Sequence, residues 1–185
     1  NNHLLMQLMQ DIAKKHGLRC LLHEKPFAGV NGSGKHNNWS IVTNTKVNLF
    51  NPGLDPLNNE PFIVTLACLV KAVDEYADLL RLSIATPGND HRLGGNEAPP
   101  ATISMFLGEV INQVIDAYLN DLQIKEPDTK RFQTGVSVIP DFKKDSTDRN
   151  RTSPFAFTGN KFEFRGVGSS QSIAIANTML NTILA

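Results

Sequence analysis

Between Phe155 and Arg165 the residues alternate in character: Phe162 and Phe164 fall on one side, Lys161, Glu163 and Arg165 on the other. An extended strand sends neighbouring side chains to opposite faces, so the pattern demands a sheet. Two phenylalanines on one face require a core beneath it. Three charges on the other face require water or partners, because a buried unpaired charge is costly. That face is either a wet outer surface, the commoner outcome, or the wall of a lined cavity.

A second stretch bears on the same question. Lys25-Pro-Phe-Ala-Gly-Val-Asn-Gly-Ser-Gly-Lys-His-Asn-Asn-Trp-Ser40 holds three glycines, Gly29, Gly32 and Gly34. An apolar run, Leu18 to Leu22, enters it, and Trp39 to Thr43 leaves it, which reads as strand, glycine loop, strand. Glycine lets a backbone approach a ligand closely. A strand starting near His36 places His36, Asn38 and Ser40 on one face and Asn37, Trp39 and Ile41 on the other. An imidazole, an amide and a hydroxyl beside a glycine loop could hold a metal-bound phosphate. A lone histidine is more often structural; the loop and the shared face make a ligand role about as plausible.

The rest of the chain supplies helices. His3 to His16 has helical apolar spacing, with Gly17 placed to end it. Asn59 is an N-cap candidate, with Glu60 and Pro61 in the first turn. Phe62 to Ile84 reads as one long, largely buried helix stopped by Thr86-Pro-Gly. Ile103 to Leu122 repeats as an amphipathic helix, and Ile173 to Ala185 is helix-like. Val136 to Ile139 is a short strand candidate, and Lys125 to Thr134 reads as loop. The expected class is α+β: a curved, mostly antiparallel sheet with helices packed on one face.

The 185 residues carry 18 basic and 18 acidic side chains and are 41% hydrophobic, which suits one domain or part of a larger one. Neutral balance argues against nucleic acid or an anionic membrane as the main partner. No apolar run has spanning length. Cys20 and Cys68 read as reduced core thiols rather than a disulfide, which fits a cytoplasmic protein. The missing initial Met and the apolar last helix suggest a fragment.

Three further constellations carry charge. Arg92 to Pro99 is a polar glycine loop, most often mere surface; as a lid, Gly94-Gly95 would give it mobility and Glu97 a carboxylate. Asp148-Arg-Asn-Arg-Thr152 pairs two arginines, which usually solvate a surface but also fork onto carboxylate or phosphate. Lys161-Phe-Glu-Phe-Arg165 is either an ion-pair ladder or a carboxylate for a hard divalent cation between anion-binding neighbours. Together these supply the inventory for ATP-dependent activation of a carboxylate.

Lys25-Pro26 followed by Asn31-Gly-Ser-Gly-Lys-His36 and Ser40 resembles the ATP-binding signature of glutamine synthetase. Asn96-Glu-Ala-Pro99 resembles its glutamate-covering flap. Arg149-Asn-Arg151 and Phe162-Glu-Phe-Arg165 resemble two later arginine motifs, in the family's order. The resemblance implies that Asn31 and the Gly32 backbone contact L-glutamate, and that His36 and Glu163 ligate Mg2+ or Mn2+. It puts Asn38 and Ser40 along ATP, together with Lys161, which stands where common forms have Arg. Arg92 and Arg165 would hold glutamate carboxylates, and Arg151 would sit on the transferred phosphate, next to ATP. Glu97 would close the flap and assist amide formation. The implied reaction forms γ-glutamyl phosphate from ATP and L-glutamate, which ammonia then attacks.

The long stretch between Glu97 and Arg149 resembles the type III, long-subunit form. The whole chain, 1–185, then reads as the C-terminal part of a catalytic domain, with a mainly helical insertion at about 101–147. The small N-terminal domain and the remaining metal-binding glutamates would lie upstream; Glu24 does not replace them, so this stretch would be inactive alone. The intact protein is expected to be a homo-oligomeric ring, without nucleic acid or membrane as partner. Two alternatives stand beside this reading: a related γ-glutamyl-amine ligase, and a catalytically silent glutamine synthetase-like structural protein.

Overall fold

The computed structural model describes residues 2–95, 98–120, 131–132, 142–143 and 153–185. It opens with α1 (Asn2–Lys15), ended by Gly17 at φ 70°, with the Leu18 N–H donating to Ala13 O at 2.9 Å. None of its residues is buried; Leu4, Leu5, Leu8, Met9 and Ile12 all face outward.

The expected entry strand at Leu18 to Leu22 is absent. That run is irregular, with Leu18 and Leu21 exposed. The apolar pattern is present, but a strand also needs an edge to pair with. The exit strand forms, shifted earlier than expected: β1 spans Gly34–Trp39, and Ser40 lies just outside it. The expected faces hold along β1, with His36 and Asn38 exposed and Asn37 and Trp39 buried.

A 3-10 turn, Pro56–Asn58, precedes α2 (Glu60–Glu75). The Asn59 side chain caps α2, accepting from the Phe62 N–H at 3.3 Å. The single helix expected over Phe62 to Ile84 breaks at Tyr76, and α3 (Ala77–Leu82) follows. Cys68, expected in the core, lies on the exposed side of α2, and Cys20 is half-buried; both are free thiols.

The amphipathic run from Ile103 also divides. Met105–Phe106 forms β2, and α4 covers Glu109–Asn120, separated by Gly108 at φ 84°. The sheet edge captures residues whose spacing alone reads as helix. Val114 is buried in α4, Phe106 and Val110 are half-buried, and Tyr118 Oη donates to Leu57 O at 2.7 Å. The helix therefore docks its stripe on the turn before α2. A short ribbon pairs β3 (Arg131–Phe132) with β4 (Phe142–Lys143). The strand expected over Val136 to Ile139 lies outside the described residues.

Phe155 to Arg165 is a hairpin rather than one strand: β5 (Phe155–Phe157) turns back through Thr158–Lys161 into β6 (Phe162–Gly168). The main sheet has the order β1-β6-β5-β2, antiparallel except for the parallel β2–β5 pair. Its inner face is aromatic. Phe155 lies 4.9 Å from Phe162, and Phe50 meets Phe162 edge-on at 5.1 Å. Among the described residues five helices accompany the sheet. Helix α5 (Ala174–Leu184) lies on this face, where Asn177 Oδ1 accepts from Asn37 Nδ2 at 2.8 Å and Asn181 Oδ1 from Trp39 Nε1 at 3.0 Å. Phe62 of α2 packs there against Phe157, ring centroids 6.2 Å apart.

Candidate functional site

The opposite face of the same strands is polar. In the β1–β6 register Asn38 stands opposite Glu163, and Lys35 opposite Val167. Between those pairs the register shifts: His36 faces two residues of β6, Arg165 and Gly166, which is a bulge. Bulges re-aim side chains, and this one has two consequences. Arg165 stays beside Glu163, while Val167 turns into the core. The Gly166 carbonyl is met from outside the ladder, accepting from Asn89 Nδ2 at 2.8 Å and from an Arg92 Nη at 3.0 Å.

His36 and Glu163 come together from strands far apart in sequence, with Nδ1 2.8 Å from Oε1. Their side chains are 39% and 17% exposed, so neither is walled into a dry core. The second carboxylate oxygen of Glu163 accepts from Arg165 Nε at 2.9 Å. One carboxylate thus sits between an imidazole and a guanidinium.

These groups border a cleft of about 290 Å3 lined by Gly32, Ser33, Gly34, His36, Arg92, Pro99 and Arg165. That is close to the roughly 300 Å3 lower end of small-molecule sites. Arg92, expected as an anion ligand, is buried and braces the floor. Its Nε donates to Asn89 Oδ1 at 2.8 Å. The glycine loop lies directly on it. A Cβ at Gly32 would stand 2.5 Å from Arg92 Cγ, and one at Gly34 2.8 Å from Nη1. These two glycines are therefore required by close approach, whatever ligand the loop receives.

The other expected residues are distributed as follows. Asn31 is exposed in the loop beside Gly32; Asn38 shares the exposed face of β1 with His36; Ser40 is exposed one residue past its end. Lys161 is exposed at the β5–β6 turn. Glu97, Arg149 and Arg151 lie outside the described residues. Sequence reasoning passed over Asn89, Glu24 and Ser170. The stretch from Asn89 to Pro100, read as having little to bury, buries Asn89, Arg92, Leu93 and Pro99. Glu24 is buried, and its carboxylate accepts from Ser170 N at 3.0 Å and from Ser170 Oγ. Burial alone would raise its pKa; the two Ser170 bonds, its own N–H and the Arg92 charge outweigh that and leave it below the ordinary carboxylate value. The signal available in sequence was a lone Glu closing an otherwise apolar run, directly before Lys25-Pro26.

Residues 1–75 match the family described as glutamine synthetase, catalytic domain. The chain is 56% identical over its whole length to a protein named type-3 glutamine synthetase from Dictyostelium discoideum, covering 25% of it. It is 49% identical, again over its whole length, to a glutamine synthetase of Bacteroides fragilis, covering 26% of that protein. It therefore spans about a quarter of the length of these relatives. A solved structure described as apo GmaS without ligand aligns over 98% of this chain and 32% of its own, with TM-score 0.53 and 20% identity, a likeness of fold. A cleft built on this sheet, carried by a sequence about half identical to such relatives from one end to the other, makes the chain a member of the glutamine synthetase family.

Proposed function

We propose that the protein ligates ammonia to the γ-carboxylate of L-glutamate at the expense of ATP, through γ-glutamyl phosphate. The observation that carries this reading is the meeting of His36 and Glu163 at the edge of a cleft walled by a glycine loop and two arginines. An imidazole and a carboxylate are donors that Mn2+ accepts, and Mg2+ accepts the carboxylate. The pair fits a divalent ion as two of its ligands. Among the described residues no three His, Cys, Asp or Glu side chains form a fuller cage, which leaves positions for phosphate oxygens, water and other residues. When bound, such an ion would neutralise charge on the transferring phosphoryl group.

The chain's own residues do the remaining work. Glu163 fixes the Arg165 guanidinium through Nε, so its fork points along the cleft wall, suited to a carboxylate or phosphoryl oxygen. Arg92 adds positive charge from the floor. Asn31 and the Gly32 backbone would receive glutamate, and Asn38, Ser40 and Lys161 would lie along ATP. Arg151 would meet the transferred phosphate, and Glu97 would close over the substrate and assist proton loss as the amide forms. We assign the protein to the cytoplasm and to a homo-oligomeric ring. The likeness to proteins named glutamine synthetase supports ammonia over a larger amine as acceptor.

The test uses the full-length gene product. Glutamine formation should require ATP, ammonium and Mg2+ or Mn2+, and His36→Ala and Glu163→Ala should each lower it on the order of 100-fold. They should also weaken Mn2+ binding, read by electron paramagnetic resonance. Wild-type protein that makes no glutamine, or a folded His36→Ala that keeps both activity and Mn2+ affinity, would overturn the reading.

A further inference from the structure

Outside the groups that face the cleft, one buried carboxylate remains without a role. Glu24 immediately precedes the glycine segment and grips two elements at once. Its side chain reaches the turn between β6 and α5, where Oε1 accepts from both Ser170 N and Ser170 Oγ. Its main-chain oxygen accepts from the Ser33 N–H at 2.6 Å, closing the base of the loop. The fit is tight on both sides. A Cβ at Gly168 would stand 2.6 Å from Glu24 Cγ, and one at Gly32 would stand 3.1 Å from Glu24 O.

The other flank of the segment is tied to the same turn. Lys35 Nζ donates to the Gln171 carbonyl. Gln171 in turn accepts from the Gly168 N–H at 3.1 Å and donates to Thr86 Oγ1. The excursion from Lys25 to Gly34 is therefore pinned at both ends on one short turn, while its tip exposes Phe27 and Val30. Hydrogen bonds to a charged acceptor are stronger than neutral ones, which suits a carboxylate to a latch with few contacts.

We propose that Glu24 is a positioning residue, whose carboxylate, latched to Ser170, holds the Gly32–Ser33–Gly34 wall in register over Arg92. The net lowering of its pKa keeps it ionised at neutral pH. Its effect on glutamate binding rests on the function proposed above; its effect on the loop does not.

The experiment compares wild type with Ser170→Ala, Glu24→Gln and Glu24→Ala in the full-length gene product. Hydrogen exchange of residues 25–34 is measured alongside the KM for L-glutamate and kcat. The Ser33 amide should exchange about tenfold faster or more in Ser170→Ala and Glu24→Ala. The glutamate KM should rise roughly fivefold or more while kcat changes less than about threefold. Glu24→Gln, which keeps an acceptor, should fall between wild type and Glu24→Ala on both scales. Wild-type exchange at Ser33 in the folded variants would overturn the proposal. So would faster exchange with an unchanged KM, which would reduce the latch to a structural contact. If Glu24→Ala does not fold, Ser170→Ala decides, since it leaves the backbone bond in place. If the wild type makes no glutamine, the functional reading fails and the exchange measurement alone judges the latch.

Discussion

Asn89 offers the sharpest test of how the cleft floor is held. It is completely buried and satisfies three groups at once. Its Nδ2 donates to Ile84 O at 2.9 Å and Gly166 O at 2.8 Å, and its Oδ1 accepts from Arg92 Nε at 2.8 Å. Truncation in Asn89→Ala removes two neutral bonds worth about 1 kcal/mol each and one to a charged donor worth about 1.5–3 kcal/mol. The expected loss is about 3–5 kcal/mol. With a urea slope of about 2 kcal/mol per molar, the unfolding midpoint should fall by roughly 2 M. Asn89→Asp separates the contributions. It keeps the acceptor for Arg92 but turns a carboxylate oxygen toward the carbonyls of Ile84 and Gly166. Despite its added charge opposite Arg92, it should be about as unstable as Asn89→Ala. The assay is equilibrium urea unfolding followed by Trp39 fluorescence. A midpoint shift for Asn89→Ala under about 0.5 M, or near-wild-type stability for Asn89→Asp, would refute the claim that this side chain completes the bulge.

Other outcomes follow from the same geometry. Gly166→Ala would drive a Cβ into Ile84 Cδ1, so it should cost about 1–3 kcal/mol, and Ile84→Val should restore part of the loss in urea unfolding. Phe162→Ala empties the centre of the aromatic face, where Phe50, Phe155 and Phe157 meet it; a loss of about 3–5 kcal/mol is expected from thermal or urea melts. The Glu24 carboxyl has a folded pKa below its ordinary 4.5. Its contribution is therefore fully present above that ordinary value and is lost as pH falls through the depressed one. The stability gap between wild type and Glu24→Gln should accordingly be wide at pH 7 and close under acid, read from urea midpoints across that range; a gap independent of pH would contradict it.

Features that depend on local order were legible in the residues alone. Alternation set the aromatic and charged faces of β6, period two set His36 and Asn38 apart from Asn37 and Trp39, and Asn59 marked the start of α2. The ordered motifs pointed to the family. Spacing failed wherever an element's fate lay in a partner elsewhere in the chain. Leu18 to Leu22 has a strand's composition and no strand beside it, whereas Met105 and Phe106 have a helix's spacing and a β5 edge to join. The motifs could suggest that His36 meets Glu163, but composition and periodicity could not, because the meeting depends on the β1–β6 register and its bulge. Only the fold decided that Arg92 lies beneath the glycine loop, that Asn89 closes the bulge, and that Glu24 is buried against Ser170. Each of these binds a polar group orphaned by packing between distant segments, and no local pattern records which distant carbonyl or amide will need a partner.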